Sequence, residues 1–154
     1  MSTQTASALQ LVKKYSLWSA GAGLIPVPFA DLAAITAVQL KMLAELAQLY
    51  NVSFEESRGK SLIGAIAGGV ASYSLFHGVP GNMVRGIPIL NLVGLVSRPL
   101  ISGLVSYGVG SVFVAHFENG GTLADLDPSA PEARAAYEEG LRRGREELRQ
   151  ASPV

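Results

Sequence analysis

Two short stretches of the sequence have residue types found in nucleotide-binding loops. The sequence RGKS at 58–61 matches the end of a phosphate-binding loop. That loop needs a glycine five residues before Gly59, where this chain has Phe54, and it should follow a strand. Three glycines between residues 78 and 86 miss the spacing of a dinucleotide-binding turn. We therefore predict that neither stretch binds a nucleotide and that the chain needs no cofactor.

Metal-binding and catalytic side chains are also sparse. The chain has no cysteine and two histidines, His77 and His116, each of which closes an apolar segment. A shared metal site would need the two segments to form a hairpin, and no carboxylate completes the ligand set. The sequence shows no Ser-His-Asp grouping in a recognisable context and no paired carboxylates on a cleft. We predict a protein without enzymatic activity.

Three polar residues remain as a possible functional site: Asp31, Gln39 and Arg98. Asp31 and Gln39 are eight positions apart on a predicted helix, on nearly the same face. One interpretation is that Asp31 caps this helix and Gln39 makes an interhelical hydrogen bond. The other is a polar site that includes Arg98, because ionisable groups at membrane depth tend to face interiors or water.

The first two elements that would position these residues are an amphipathic helix pair. The first predicted helix runs from about Ser7 to Leu24 and ends at Pro26, which lacks an N–H. Pro28 suits the first turn of a second helix that ends near Tyr50. The Pro-x-Pro stretch is thus predicted to be the corner between two helices.

Two apolar segments follow, and we expect them to form a glycine-rich helical hairpin. Ser53 and Glu56 have the spacing of a capping box, so a third helix should begin near Phe54. Residues 61–84 have no charged side chain, and residues 86–117 have only Arg98. We expect a helix break at Arg98-Pro99. The uncharged stretch that follows, to Phe117, is long enough to span a bilayer.

Small residues recur every four positions on both apolar helices. On the third helix they are Gly64, Gly68 and Ser72, and on the later helix they are Ser102, Ser106 and Gly110. Such ridges let helix backbones approach closely, which drives helix association in membranes. We predict that they mediate helix packing and oligomerisation. Glycine-rich helices also pack tightly in soluble cores, so a soluble, obligately oligomeric bundle is the alternative.

The C-terminal region is strongly charged. Ser129 and Glu132 form another capping box with Pro131 inside it, so a helix should start near Ala130. Its arginines and glutamates at i,i+3 and i,i+4 spacing describe a solvated helix. We predict a helical membrane-associated domain at residues 1–127 and a charged helix or tail at 128–154.

Composition supports a membrane environment. Charged residues make up 16% of the chain, against about 25% in typical soluble domains. Basic and acidic residues balance at 12 each, so no net field favours nucleic acid. The first residues lack the features of a secretory signal. Basic residues before the first apolar segment favour an even number of crossings with both termini cytoplasmic, although a re-entrant hairpin is a competitor.

The order of several motifs resembles the DUF697 family of bacterial proteins. The matching positions are the Pro-x-Pro corner with Asp31, then Gln39, Met42 and Tyr50, and the closing stretch FENGG at 117–121. The resemblance covers about residues 15–127. The resemblance implies a glycine-rich helical protein that is membrane-associated. It also implies a link to GTPases, because some members are fused to small GTPase-like domains. It supplies no catalytic residues.

Together these patterns predict an all-α bundle with the amphipathic helix pair and the glycine-rich apolar hairpin. We expect a non-enzymatic protein of the bacterial inner membrane that self-associates as a scaffold, an anchor or a pore-like oligomer. Its partners would be the lipid bilayer and further copies of itself. A GTPase-like protein in trans is an alternative partner, and a soluble helical oligomer is an alternative state.

Overall fold

The computed structural model describes residues 2–22, 30–73 and 87–151. Within these residues all regular structure is helical, which confirms the all-α class. The five described helices, in chain order, are α1 (Thr3–Ala22), α2 (Ala30–Leu49), α3 (Glu56–Tyr73), α4 (Ile87–Glu118) and α5 (Pro131–Ala151). The Pro-x-Pro corner and the connection of the predicted hairpin, residues 74–86, lie outside the described residues.

The second half of α4 is the centre of the bundle. It makes its most extensive contacts with α1 and α5, and it also packs against α2. Buried side chains lie on most of its circumference: Ser106, Tyr107, Val109, Val112, Phe113, Val114 and Phe117. Three helices of the same chain therefore cover the stretch of α4 that has no charge. Burial within the chain accounts for the missing charges there.

The expected break at Arg98-Pro99 is wrong, because α4 continues through both residues for 32 residues. A proline inside a helix removes one backbone hydrogen bond and costs about 3 kcal/mol. Helix propagation is cooperative, so long helical stretches on both sides can offset one interruption. The proline rule predicted a boundary from local sequence alone.

The uncharged stretch up to Phe117 was expected to be long enough to span a bilayer. In the part of the chain that the structure describes, none of the helices is both long enough and apolar enough to traverse a bilayer.

The N-terminal helix pair is amphipathic, as expected. Buried residues of α1 recur at intervals of three or four along one face: Ala8, Val12, Tyr15, Ser16 and Ser19. The buried residues of α2 follow the same spacing: Gln39, Met42, Leu43, Leu46 and Ala47. These faces meet α4, so each helix contributes one stripe to a common core.

The C-terminal helix begins at Pro131, close to the predicted start. The preceding turn is held by Asp127, whose carboxylate accepts hydrogen bonds from the Ser129 N–H at 2.9 Å and the Ser129 hydroxyl at 2.6 Å. The third helix begins at Glu56, two residues after the expected Phe54.

One side of α5 is solvated, as its charges predicted, but the opposite side is buried against α4. Ala133, Tyr137 and Leu148 are all less than a tenth exposed. A Cβ atom at Gly140 would lie 2.9 Å from the Gly108 Cα, so the two backbones are in close contact. A fully solvated helix is thus the wrong description, because small and apolar residues recur between the charges.

Candidate functional site

A line of hydroxyl and amide groups crosses the core between α1, α2 and α4. The Gln39 Nε2 donates to the Ser106 Oγ at 3.0 Å, and the Ser106 hydroxyl donates to the Ser19 Oγ at 2.7 Å. All three residues are buried. Because buried polar groups are costly without partners, these bonds favour one relative position of the three helices.

The chemistry available to this line is limited to hydrogen bonding. A serine hydroxyl becomes a nucleophile only beside a general base, and none of the three residues is ionisable. Ser16, one turn before Ser19 on α1, is fully buried, and its hydroxyl has no partner among the described groups. These hydrogen bonds therefore help to fix how α1, α2 and α4 pack together.

The structure places the three predicted polar residues differently. Gln39 joins the buried line through Ser106. Asp31 lies in the first turn of α2 and Arg98 lies within α4, but their side chains are outside the described part of the structure. A site that combines Asp31 and Arg98 with Gln39 stays a prediction.

The small-residue ridge of α4 is occupied within the chain. A Cβ atom at Gly110 would lie 2.8 Å from both methyl groups of Val12 and 3.1 Å from the sulfur of Met42. Ser106 bonds to Ser19 on α1, whereas Ser102 is partly exposed. The close approach that this ridge permits is therefore made by α1 and α2.

The small-residue ridge of α3, unlike that of α4, is exposed on the surface of the bundle. Gly64 and Gly68 are exposed, and a Cβ atom at either position would meet none of the described residues within 4 Å. Ser61 and Ala65 are exposed beside them. We call these four residues the open α3 face. The side chain of Ser72, the third member of the predicted ridge, is outside the described residues.

The turn after α4 explains the role of His116. Its Nε2 lies 2.9 Å from the Thr122 carbonyl and 2.8 Å from the Asp125 Oδ1. The Thr122 N–H and the His116 ring both bond to Asp125 and hold the pKa of that carboxyl below its usual value. A Cβ atom at Gly121 would collide with the His116 ring, and Gly120 has a φ of 82°. The Gly-Gly pair is thus required by the turn.

His116 therefore acts as a structural link in this turn. Among the described residues, no group of three or more histidine, aspartate or glutamate side chains has an arrangement that could hold a metal ion. His77 lies outside the described residues.

An exposed aromatic and basic surface on α1 and α2 was missed by the sequence analysis. Trp18 is 49% exposed and Leu17 is 40% exposed. The Lys14 Nζ lies 5.4 Å from the centroid of the Trp18 ring, and the Lys41 Nζ lies 5.6 Å from it. The i,i+4 spacing of Lys14 and Trp18 is visible in the sequence. The contribution of Lys41 is not, because the fold alone brings α2 beside Trp18.

Comparison with known proteins identifies the family. The sequence profile described as Domain of unknown function (DUF697) matches residues 1–142, so the match extends beyond residue 127 and into α5. The chain is 39% identical over 139 residues to Magnetosome membrane protein 22 of Magnetospirillum gryphiswaldense (strain MSR-1). That alignment covers 90% of this chain and 70% of the relative. No solved structure matches the chain. The profile match and the relative together show that the chain belongs to the DUF697 family, as its motifs indicated.

Proposed function

We propose that this protein is a non-enzymatic, membrane-associated scaffold or anchor that self-associates through the open α3 face. The observation that carries the proposal is the exposure of Gly64 and Gly68, over which none of the described residues packs. The relative named a magnetosome membrane protein supports a membrane location.

The difference between the two ridges supports α3 as the self-association surface. Ser106 and Gly110 of α4 already contact α1 and α2, so they have no surface left for a second copy. The open α3 face has the same spacing of small residues, and no neighbour in the described part of the chain lies over its two glycines. Small residues at intervals of four allow a second helix to approach closely. A second copy of α3 offers the matching surface, since a symmetric interface uses the same patch on both subunits.

The distribution of polar groups supports a role without catalysis. The buried line from Gln39 to Ser19 holds helices in position, and His116 and Asp125 hold a turn. In the described part of the chain these groups bond to one another and do not converge on a cavity with an activated nucleophile.

The test is to fill the open α3 face with larger side chains. Gly64→Leu with Gly68→Leu would place two isobutyl groups where a second helix is proposed to pack. Leucine is a better helix former than glycine by roughly 0.5–1 kcal/mol per position, so α3 should remain helical. We expect the wild-type chain to form oligomers in mild detergent and on membranes, and the double variant to be mainly monomeric. Light scattering and chemical cross-linking measure the oligomeric state of the wild-type chain and of the double variant.

Gly21→Leu is the matched control. Gly21 is also an exposed helical glycine, and a Cβ atom there would meet none of the described residues within 4 Å, but it lies on α1. We expect this variant to assemble like the wild type. A monomeric wild-type protein, or a double variant that assembles normally, would contradict the proposed interface.

A further inference from the structure

We infer that the surface formed by Lys14, Leu17, Trp18 and Lys41 docks on the negatively charged headgroups of a lipid bilayer. We call it the basic aromatic surface. The inference rests on the proposed membrane association, and it adds which surface meets the membrane and which lipid chemistry it recognises.

The apolar part of this surface is unusual for an exposed position. Leu17 and Trp18 are adjacent, and only Phe54 joins them among the exposed large hydrophobic residues of the described chain. The Trp18 ring packs edge-on against Tyr15, with 5.2 Å between the ring centroids, so one side is supported while about half of the residue remains exposed. Tryptophan favours the boundary between headgroups and acyl chains because its ring is apolar and its N–H is polar.

The two lysines give this surface its charge. Within the described residues, neither Lys14 nor Lys41 has a carboxylate within ion-pair distance, whereas Lys13 pairs with Glu147 at 2.8 Å and Lys60 with Glu56 at 3.2 Å. Long lysine side chains can extend beside an apolar group and keep the ammonium in a polar layer.

One carboxylate belongs to the same region. Glu45 accepts a hydrogen bond of 2.6 Å from the Tyr15 hydroxyl. Burial, and then this contact with Glu45, raise the pKa of Tyr15 to about 12, so the hydroxyl stays a donor at neutral pH. Glu45 is thereby bonded to Tyr15, and the ammonium groups beside Trp18 have no carboxylate partner in the described chain.

The combination favours a lipid surface over an acidic protein. An exposed tryptophan flanked by cations fits a layer in which negative phosphates lie above an apolar interior. Each lysine near an anionic membrane surface contributes about 1 kcal/mol, which corresponds to roughly a fivefold change in partitioning. Removing both should therefore weaken binding roughly thirtyfold.

The experiment measures binding of the full chain to vesicles of phosphatidylcholine with or without phosphatidylglycerol. Trp18 is the single tryptophan of the sequence, so its fluorescence reports directly on this surface. We expect a blue shift of its emission and protection from a soluble quencher only with the anionic vesicles. Lys14→Gln with Lys41→Gln should lose binding roughly thirtyfold. Lys60→Gln, which removes a lysine from α3, should bind like the wild type.

The outcomes separate this inference from the proposed function. If the wild-type chain binds vesicles but the double variant binds equally well, or the Trp18 emission does not change, the docking surface is wrong while membrane association stands. Equal binding to neutral vesicles would also overturn the headgroup assignment. If the wild-type chain binds neither vesicle, both the inference and the proposed membrane association fail. Binding to an acidic protein in place of anionic vesicles would identify a protein-docking surface and overturn the lipid assignment.

Discussion

The hydrogen bonds of Ser106 show how single polar residues position three helices. Ser106 accepts from Gln39 of α2 and donates to Ser19 of α1, so one hydroxyl connects α4 to two of its neighbouring helices. An apolar core of similar volume would tolerate small shifts between helices more easily than this directional line does.

Ser106→Ala should destabilise the protein by about 1–3 kcal/mol, because it leaves the buried Gln39 amide and the Ser19 hydroxyl without their partner. Adding Gln39→Leu to this variant should cost less than the sum of the two single changes, with a coupling of roughly 0.5–3 kcal/mol. Chemical denaturation of the four proteins in the cycle measures these free energies of unfolding.

The partly exposed Ser102, one turn earlier on α4, provides the control. Ser102→Ala should change the free energy of unfolding by no more than about 0.5 kcal/mol. Strictly additive effects of Gln39→Leu and Ser106→Ala would show that the line does not act as a unit.

At this scale the sequence pointed to Gln39 and to Ser106 but not to their contact. Gln39 was recognised because it lies eight positions after Asp31, on nearly the same face of the predicted helix, and an interhelical hydrogen bond was one interpretation. Ser106 was assigned to a small-residue ridge. The two residues are 67 positions apart in the chain, and only the packing of α2 against α4 pairs them. The role of Gly121 could not be predicted either, since it depends on the position of the His116 ring.

Among the helices, the contact between α4 and α5 shows how glycines make room for the aromatic side chains of a neighbouring helix. Gly108 of α4 faces the Tyr137 ring, and Gly144 of α5 faces the Tyr107 side chain. Large rings on one helix thus fit over glycines on the other in both directions. These reciprocal contacts between rings and glycines pack one side of α5 against α4, although its other side is charged.

Gly140→Leu should separate α5 from α4. A side chain at Gly140 would meet the backbone of Gly108, which cannot move aside as a flexible side chain can. Such overpacking costs about 1–3 kcal/mol and occasionally more. We expect a lower midpoint in chemical denaturation and faster proteolysis of α5.

Gly64→Leu makes the same substitution at an exposed position where none of the described residues would meet the new side chain's Cβ atom, so the monomer should be as stable as the wild type or more so. If Gly140→Leu unfolds at the wild-type midpoint, the close contact of α4 and α5 is not a determinant of stability.

Local rules predicted helix starts better than they predicted helix environment. Pro131 and the residues before it indicated where α5 begins. The burial of α5 was missed because its charges dominate the pattern, although Ala133, Tyr137 and Leu148 fall on one side. The continuity of α4 through Pro99 was missed because cooperative helix formation extends beyond the local sequence.

For the whole molecule, helix faces without charge occur in two different environments. The uncharged second half of α4 is enclosed by α1, α2 and α5, so its sequence resembles that of a membrane helix for a reason internal to the chain. The open α3 face is also uncharged but exposed, and its covering by a second copy is the proposal made above. The sequence alone could not separate these cases, because a pattern of missing charge does not say what covers it.

Association with a membrane is the central claim, and flotation of cell membranes is its most direct test. The full chain would be expressed in bacteria, and the lysate would be placed below a density gradient without detergent. We predict that the protein rises with the lipid fraction and that oligomers can be cross-linked there. Recovery of the protein at the bottom of the gradient, free of lipid, would contradict the account.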